Sequence, residues 1–510
     1  MKKVYRHFAT AAVFALISAS PLCTPLSAEE IVIKSEPTVF LPVEYCRFEK
    51  IKTSLTSDEF AQDLESLCYL LTNGYSGYEE MVEKGFNPQT FTETVSKKFA
   101  GQTEINSRDF YFALVENLKP YINDSHFFIT HFTDGHCFST RRFVRWSDVY
   151  VQKKGEKYTV TEDESGSVKK GDKYTGGKEN LFYYPVKGRE TYRIGLLAEE
   201  DEKISEADFS FEGKTVTVPV KPDGAIERRP MKYKDFETKD SAYIELNDFM
   251  RPEADSPKRK AADIIFNKFT NLGQKYNKKK NIIWDLRSNS GGLTELPVTF
   301  LFTLYTNKAY KDTDELVSRL AEWNAESFFE KKQIYSPAYY QILEQYYEIR
   351  GNLQEKALTS MNVERQKQKS ERIVVQNVLK PSNLFSKGAK FKGKLIILTD
   401  RNTVSAGEYA ILYAKHILGE ENVIVIGENT FGMASYWNVF DIQLPNSKMT
   451  VHTSFATNET IRKNEKWHGE GTGLFPDWWC SGSDLNDAIF LISGDNEMKE
   501  KLKNIEFYLM

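Results

Sequence analysis

Two short apolar runs, each ended abruptly by small and polar residues, constrain this chain most. Residues 281–292 read NIIWDLRSNSGG, and residues 394–408 read KLIILTDRNTVSAGE. The second run continues into a helix-forming stretch, Ala406 to Ile417, which Gly419 closes. A helix after a β-like run, with glycine at its end, is a strand–turn–helix pattern. The two runs therefore predict strands that end in tight turns within an α/β fold.

Ser405 falls at the predicted strand-to-helix turn. The first amides of a helix have no partner inside the helix, and they favour negative charge. A turn at Gly291-Gly292 can offer further bare N–H donors, so the two fragments supply the parts of an oxyanion hole beside a nucleophile. Ser-Ala-Gly-Glu is also a capping box, in which Ser405 caps the helix and Glu408 reaches back. Neither fragment decides between these interpretations by itself.

Five fragments of the chain occur in an order that resembles a known family. They are YIEL at 243–246, DLRSNSGG at 285–292, DRNTVSAGE at 400–408, VIGENTFG at 425–432 and EGTGLFPD at 470–477. This order is similar to that of the C-terminal processing peptidases, the tail-specific and tricorn-core serine peptidases. The resemblance covers about residues 240 to 480, and a weaker similarity reaches back to about residue 58. It implies a crotonase-like (ββα superhelix) core, with Ser405 as nucleophile and the amides of Ala406 and of Gly291 or Gly292 as oxyanion donors.

The chain departs from the tail-specific pattern at the general base. Those enzymes carry a lysine in Gly-Phe-Gly-Lys-Gly-Ser-x-Gln, whereas here Met433 stands in the place of the lysine and Trp437 in that of the glutamine. A thioether cannot accept the proton of a serine. In the tricorn-like branch a histidine is the base and a glutamate orients it, which suits an imidazole that titrates near neutral pH. Glu470, directly before GTGLFPD, matches the glutamate of that branch; without the resemblance it would read as an exposed loop carboxylate.

The resemblance implies that the histidine follows a helix in an Asp-x-His pattern, and two tripeptides fit. One is Asp124-Ser125-His126 and the other is Asp134-Gly135-His136. A helix predicted over 107–121 precedes His126, which would open the strand 127–131. Asp134-Gly135 instead predicts the turn of a hairpin. We favour His126 over His136 as the base, because a residue at a helix end is held by packing. The other histidines considered, His131, His416 and His468, are expected to be structural or on the surface.

The first 28 residues resemble a secretory signal. A basic start is followed by an apolar stretch, Phe8 to Ile17, and by a plausible cleavage site after Ala28. The stretch is too short for a spanning helix, so we expect an exported, periplasmic or secreted protein that is not transmembrane. Lipid attachment at Cys23 is a less favoured alternative. The formal net charge of −4 becomes more negative without the signal, which argues against nucleic acid and leaves proteins or peptides as partners.

The cysteines leave one question open. Export permits a Cys46–Cys68 disulfide, but Cys68 lies on the apolar side of a predicted helix, where a buried free thiol fits equally well. The other two cysteines after the signal are Cys137 and Cys480. Since no Cys or His cluster has the spacing of a metal site, no metal and no cofactor are expected.

The order of patterns predicts several regions. They are a signal at 1–28, an N-terminal helical region carrying the histidine at 29–144, a small β-rich domain at 145–240, a catalytic core at 241–480 and a helical tail at 481–510. The β-rich region lies where the family carries a PDZ-like module, although no carboxylate-binding loop is recognisable. Within the core, residues 308–376 form an insertion with helical periodicity, either a solvated decoration or a lid over the cleft.

Two functions from different classes fit these patterns. The favoured one is an exported serine endopeptidase that uses Ser405, His126 and Glu470. The alternative is a family fold kept as a binding protein for peptides or lipophilic ligands after the catalytic residues have lapsed.

Overall fold

The structure is a computed structural model that describes residues 50–132, 134–222, 232–252, 256–316, 331–338, 373–377 and 390–505. The predicted signal segment, Cys23, Cys46 and most of the insertion lie outside the described residues. The chain divides into two compact units. The first unit takes residues 1–139, 318–382 and 435–464, and the second takes residues 140–317, 383–434 and 465–510.

The helices of the first unit surround an apolar core. They are α1 (Ser57–Tyr69), α2 (Tyr78–Glu83), α3 (Pro88–Lys98), α4 (Ser107–Leu118) and α8 (Glu459–Arg462). A capping box between Thr56 and Glu59 starts α1, and a turn of π-helix, Leu70–Gly74, extends it. The side of α1 that the sequence predicts to be apolar is buried, and Cys68 on it is a free thiol whose Sγ lies 3.2 Å from Thr92 Oγ1.

Two sheets complete the first unit. The smaller pairs β1 (Ser54–Thr56) with β2 (Glu104–Asn106). The larger contains β3 (Asp124–His131), β4 (Asp134–Phe138), β16 (Lys331–Tyr335), β17 (Ile373–Asn377), β20 (Tyr436–Gln443) and β21 (Thr450–Asn458). Its order is β17-β16-β21-β3-β4, and β20 also pairs with β21. The helical prediction is wrong for β16 and β17, two segments of the insertion, because they find ladder partners in each other and in β21, far away in sequence.

A mixed sheet with helices forms one part of the second unit. Its strands are β13 (Tyr233–Glu237), β14 (Ser241–Leu246), β15 (Asn281–Asp285), β18 (Lys394–Thr399), β19 (Val423–Gly427) and β22 (Trp478–Trp479), in that order. Its helices are α5 (Arg259–Tyr276), α6 (Glu295–Thr306), α7 (Ala406–Leu418), α9 (Leu485–Ser493) and α10 (Asn496–Leu502). All pairs from β14 to β22 are parallel. The carboxyl ends of β15, β18 and β19 therefore lie at one edge, where the loops that follow them meet.

An eight-stranded antiparallel sheet forms the other part of the second unit. Its strands are β5 (Arg142–Lys154), β6 (Lys157–Asp163), β7 (Lys173–Tyr174), β8 (Leu181–Tyr183), β9 (Thr191–Glu199), β10 (Glu206–Phe211), β11 (Lys214–Pro219) and β12 (Lys221–Pro222). The order is β11-β10-β7-β6-β5-β9-β8, with β12 against β5. The strands start close to the predicted boundary of the β-rich region.

Among the described residues, no helix is both long and apolar enough to cross a membrane.

Candidate active site

Ser405 stands in the turn between β18 and α7 with a backbone conformation that is rare for a serine. Its φ is 50° and its ψ is −113°, and the side chain is only partly buried. A positive φ outside glycine costs on the order of 1 to 3 kcal/mol and persists only where the surroundings impose it. Ala406 begins α7, so its amide is one of the helix donors without an intrahelical acceptor. The turn thus exposes a hydroxyl next to a bare donor.

The loop before Ser405 is tied to the loop after β15. The Asp400 carboxylate accepts hydrogen bonds from the amides of Ser288 and Asn402, each at 2.9 Å. The amide of Val404 donates to the carbonyl oxygen of Asn289 at 2.9 Å. These bonds join the two fragments that the sequence singled out.

Gly291 and Gly292 have conformations that only glycine adopts easily. Their φ values are 77° and 122°. A Cβ at Gly291 would lie 2.9 Å from Ser405 Cβ, and one at Gly292 would lie 2.4 Å from the carbonyl carbon of Phe249. The loop backbone therefore runs directly against the serine. The amide of Gly291 already donates to Asn289 Oδ1 at 2.9 Å, which distinguishes it from the amide of Gly292.

Glu408, in the first turn of α7, collects four donors although it is fully buried. Its Oε2 accepts from the amides of Ser405 at 2.9 Å and Met433 at 2.8 Å. Its Oε1 accepts from Thr430 Oγ1 at 2.5 Å and from the amide of Gly432 at 2.9 Å. Glu408 thus reaches back to Ser405, as a capping box predicts, and also fixes the loop after β19.

The charge state of Glu408 reflects opposing effects. The pKa of its carboxyl is raised to about 7, mainly by burial and to a smaller extent by the nearby Glu470 carboxylate, while the hydrogen bonds from Thr430, Met433 and Gly432 lower it. The outcome shows that desolvation outweighs the hydrogen bonds.

The backbone of Met433 lies close to that of Ser405. Both amides, that of Met433 and that of Ser405, donate to the same oxygen of Glu408. The side chain of Met433 is partly buried and has no titratable group. A lysine base is therefore missing from the place where a tail-specific enzyme would carry it.

Glu470 is buried at the start of a loop that packs on the one holding Met433. The amide of Gly471 donates to the carbonyl oxygen of Gly432 at 2.8 Å. A Cβ at Gly432 would lie only 2.5 Å from the amide nitrogen of Thr472. Glu470 is 8% exposed and close enough to Glu408 to influence its pKa. The second unit therefore brings Ser405, Glu408 and Glu470 into one neighbourhood.

His126 belongs to the first unit and lies where the β3–β4 pairing is irregular. The register shifts between Asp124 and Phe128, a bulge of the kind that re-aims side chains. The amide of His126 donates to Asp124 Oδ1 at 2.7 Å. Within the described residues its Nδ1 has no hydrogen-bond partner. Burial, and to a smaller extent His452, lowers the pKa of the imidazole to about 3.

The hairpin turn predicted at Asp134-Gly135 is wrong. Both residues lie in β4, where Asp134 pairs with His131, and His136 pairs with Ile129. His136 is partly buried against the ring of Phe138, with centroids 4.7 Å apart. Both candidate histidines are therefore strand residues, and the predicted contrast between a fixed and a mobile one does not hold.

Sequence reasoning overlooked one histidine of the first unit. His452 on β21 faces Asp441 on β20, with 2.7 Å between Nδ1 and Oδ1. It also contacts Phe128 on β3. No short motif joins Asp441 and His452, so only the register of the two strands could have revealed the pair. Among the other histidines, His131 Nε2 lies 2.9 Å from Ser107 Oγ, and His468 stacks on Phe475.

Groups of three or more metal-binding side chains are absent from the part of the chain that the structure describes. The site consists instead of a strained serine, bare amides and buried carboxylates. Groups of these kinds can carry out covalent acyl transfer, in which a serine attacks a carbonyl carbon and amides stabilise the oxyanion.

Residues 240–478 match the sequence model of peptidase family S41, and this match supports a serine-type peptidase. None of the curated proteins compared with the chain matches it.

Several solved structures match the chain at low sequence identity and with TM-scores below 0.5. Mature CPAF in complex with lactacystin shares 13% identity at a TM-score of 0.39, covering 88% of this chain and 98% of that one. The photosystem II D1 C-terminal processing protease shares 14% at a TM-score of 0.36, with coverages of 87% and 99%. The tricorn protease shares 14% at a TM-score of 0.32, with coverages of 88% and 37%.

Proposed function

We propose that this protein is an exported serine endopeptidase that hydrolyses peptide bonds through Ser405, His126 and Glu470. The observation that carries the proposal is the strained backbone of Ser405, held between the Gly291-Gly292 loop and Glu408. A serine that only caps a helix needs neither a positive φ nor a glycine loop against its Cβ.

In the proposed reaction, Ser405 Oγ attacks the carbonyl carbon of the scissile peptide bond and its proton passes to His126. The negative charge that develops on the carbonyl oxygen is held by the amides of Ala406 and Gly292. We choose Gly292 over Gly291 because the Gly291 amide is engaged by Asn289. The imidazolium then gives its proton to the leaving amine. A water molecule next attacks the acyl carbon in the same way, which releases the acid product and restores Ser405.

His126 enters the proposal through the Asp124-Ser125-His126 pattern and through its charge state. With a pKa of about 3 the imidazole is neutral at pH 7 and can accept a proton. Burial also makes the imidazolium costly, so the mechanism requires a carboxylate to stabilise it. We give that role to Glu470, because the oxygens of Glu408 already accept four hydrogen bonds.

Export and the tricorn-like branch complete the proposal. The first 28 residues support export by a secretory signal. Met433 in place of the lysine supports a histidine base and therefore the tricorn-like branch of the family. The substrates would be proteins or peptides.

Turnover of a fluorogenic casein substrate tests the proposal. Ser405→Ala should abolish hydrolysis while the protein stays folded, since loss of a helix cap alone costs about 1 kcal/mol and no chemistry. Ser210→Ala is the matched control, because Ser210 is exposed on β10, and it should retain full activity. Equal turnover by folded Ser405→Ala and wild type would refute Ser405 as nucleophile. If neither protein hydrolysed any peptide, the binding-protein interpretation would replace ours.

A further inference from the structure

Residues 140–142, at the start of β5, touch three loops of the candidate active site. The amide of Arg142 donates to the carbonyl oxygen of Gly471 at 2.7 Å. The side-chain amide of Asn429 donates to the carbonyl oxygen of Arg142 at 3.0 Å and to that of Thr472 at 2.8 Å. The segment therefore joins the loop after β19 to the loop that begins at Glu470.

The side chain of Arg141 reaches the third loop, the one that leads to Ser405. Its Nη2 donates to the carbonyl oxygen of Arg401 at 3.0 Å and to Asn402 Oδ1 at 3.2 Å. Its guanidinium also lies over the ring of Phe431, 4.3 Å from the centroid. The loop before Ser405 is thus bonded by Arg141 through residues 401 and 402, and to the loop after β15 through Asp400 and Asn289.

The contact with Phe431 connects the same guanidinium to the backbone amides that donate to Glu408. The amide of Phe431 donates to the carbonyl oxygen of Thr403 at 3.0 Å. The next two residues, Gly432 and Met433, donate to Glu408, which also binds the amide of Ser405. A shift of Phe431 would therefore be transmitted to the backbone of the serine from both sides.

The chemistry of these contacts requires a guanidinium. One planar group bonds a carbonyl and an amide oxygen at its edge while its face covers an aromatic ring. A lysine ammonium has donors for the two oxygens but no planar face to cover the ring while it bonds them. Glu200 Oε2, 3.0 Å from Arg141 Nη1, helps to aim the group.

We propose that Arg141 is a positioning residue of the peptidase site, which keeps Ser405 in its strained conformation by fixing the 401–402 loop against Phe431. The inference rests on the proposed function of Ser405. It assigns Arg141 no contact with substrate.

The neighbouring Arg142 provides a matched control. Its side chain is half exposed and pairs with Glu199, 3.1 Å away on β9, outside the three loops. Arg141→Lys and Arg142→Lys therefore make the same chemical change at adjacent positions, and only the first removes the bridge.

Two readouts on the full chain test the proposal. The first is the rate constant for labelling of Ser405 by a fluorophosphonate, together with kcat and KM. Arg141→Lys should lower the labelling rate and kcat at least tenfold with KM changed less than threefold, whereas Arg142→Lys should stay within twofold of wild type. The second readout is hydrogen exchange, which needs no activity, and it should be faster in Arg141→Lys for peptides covering 400–409 and 429–434.

The outcomes separate the two proposals. If wild type is not labelled at Ser405, the proposed function fails, and hydrogen exchange still tests the role of Arg141. If Arg141→Lys labels and exchanges like wild type, or if both lysine variants are impaired equally, the positioning role is overturned.

Discussion

Glu408→Gln makes the sharpest prediction, because it concerns a buried carboxyl with an unusual pKa. Burial and the Glu470 carboxylate raise the pKa of Glu408 from its usual 4.5 to about 7, against the effect of its hydrogen-bond donors. The folded protein therefore holds this proton more tightly than the unfolded chain between these two pH values. The stability contributed by Glu408 is present at low pH and is lost as pH rises through 7.

The size of the effect follows from the change in pKa. One pKa unit corresponds to 1.36 kcal/mol, so the free energy of unfolding should fall by about 2.5 kcal/mol from pH 5 to pH 8 on account of Glu408. A glutamine at position 408 does not titrate and lacks this contribution. Its amide nitrogen would face the amide of Gly432 or that of Met433. The free energy of unfolding is therefore also expected to be lower by about 1 to 3 kcal/mol at every pH.

Urea unfolding at pH 5 and pH 8, followed by tryptophan fluorescence, measures the difference. The fall in stability between the two pH values should be smaller in Glu408→Gln than in wild type by about 2.5 kcal/mol. Glu156→Gln, in the exposed turn between β5 and β6, is the control and should behave like wild type. The same pH dependence in wild type and Glu408→Gln would refute the reasoning.

Three further predictions concern the residues around the serine. Gly291→Ala should lower the rate of Ser405 labelling at least a hundredfold, since its Cβ would lie 2.9 Å from Ser405 Cβ at a φ of 77°, and unchanged labelling would contradict that geometry. Met433→Lys should not raise kcat/KM, because the proposed base is a histidine, and a gain in activity would point to a lysine mechanism. His126→Ala should reduce kcat about as much as loss of the serine, whereas His136→Ala should keep most activity; the reverse result would transfer the role of base to His136.

The strand and helix that hold Ser405 could be read from the sequence because their signals are local. The structure places β18 at Lys394–Thr399 and begins α7 at Ala406, where the pattern put them. An apolar run followed by a polar turn and a capping glutamate needs no distant partner to be recognised.

The hairpin turn was mispredicted because distant contacts override a local preference. Asp-Gly favours a two-residue turn, yet Asp134 accepts a hydrogen bond from Arg108 Nε of α4 at 2.9 Å and pairs with β3. The turn falls instead after His131, where Phe132 takes a φ of 52°. Only the packing of α4 against the hairpin could have shown this.

The details of the site depend likewise on tertiary structure. That the Gly291 amide is engaged by Asn289 follows from the conformation of one loop. Three of the four bonds of Glu408 need a loop more than twenty residues away, and the Asp441–His452 pair needs the register of β20 with β21. Sequence patterns supply the candidate residues, and the fold determines which of their donor and acceptor atoms remain available to bind a substrate.

Mapping of a fluorophosphonate adduct tests the central claim most directly. The full chain is treated with the probe at pH 8, and the modified residue is located by mass spectrometry of tryptic peptides. We predict one adduct per chain, on Ser405, that forms in wild type and in Ser210→Ala and is absent from Ser405→Ala. An unmodified Ser405 in folded protein, or an adduct on another serine, would contradict the assignment of Ser405 as the nucleophile.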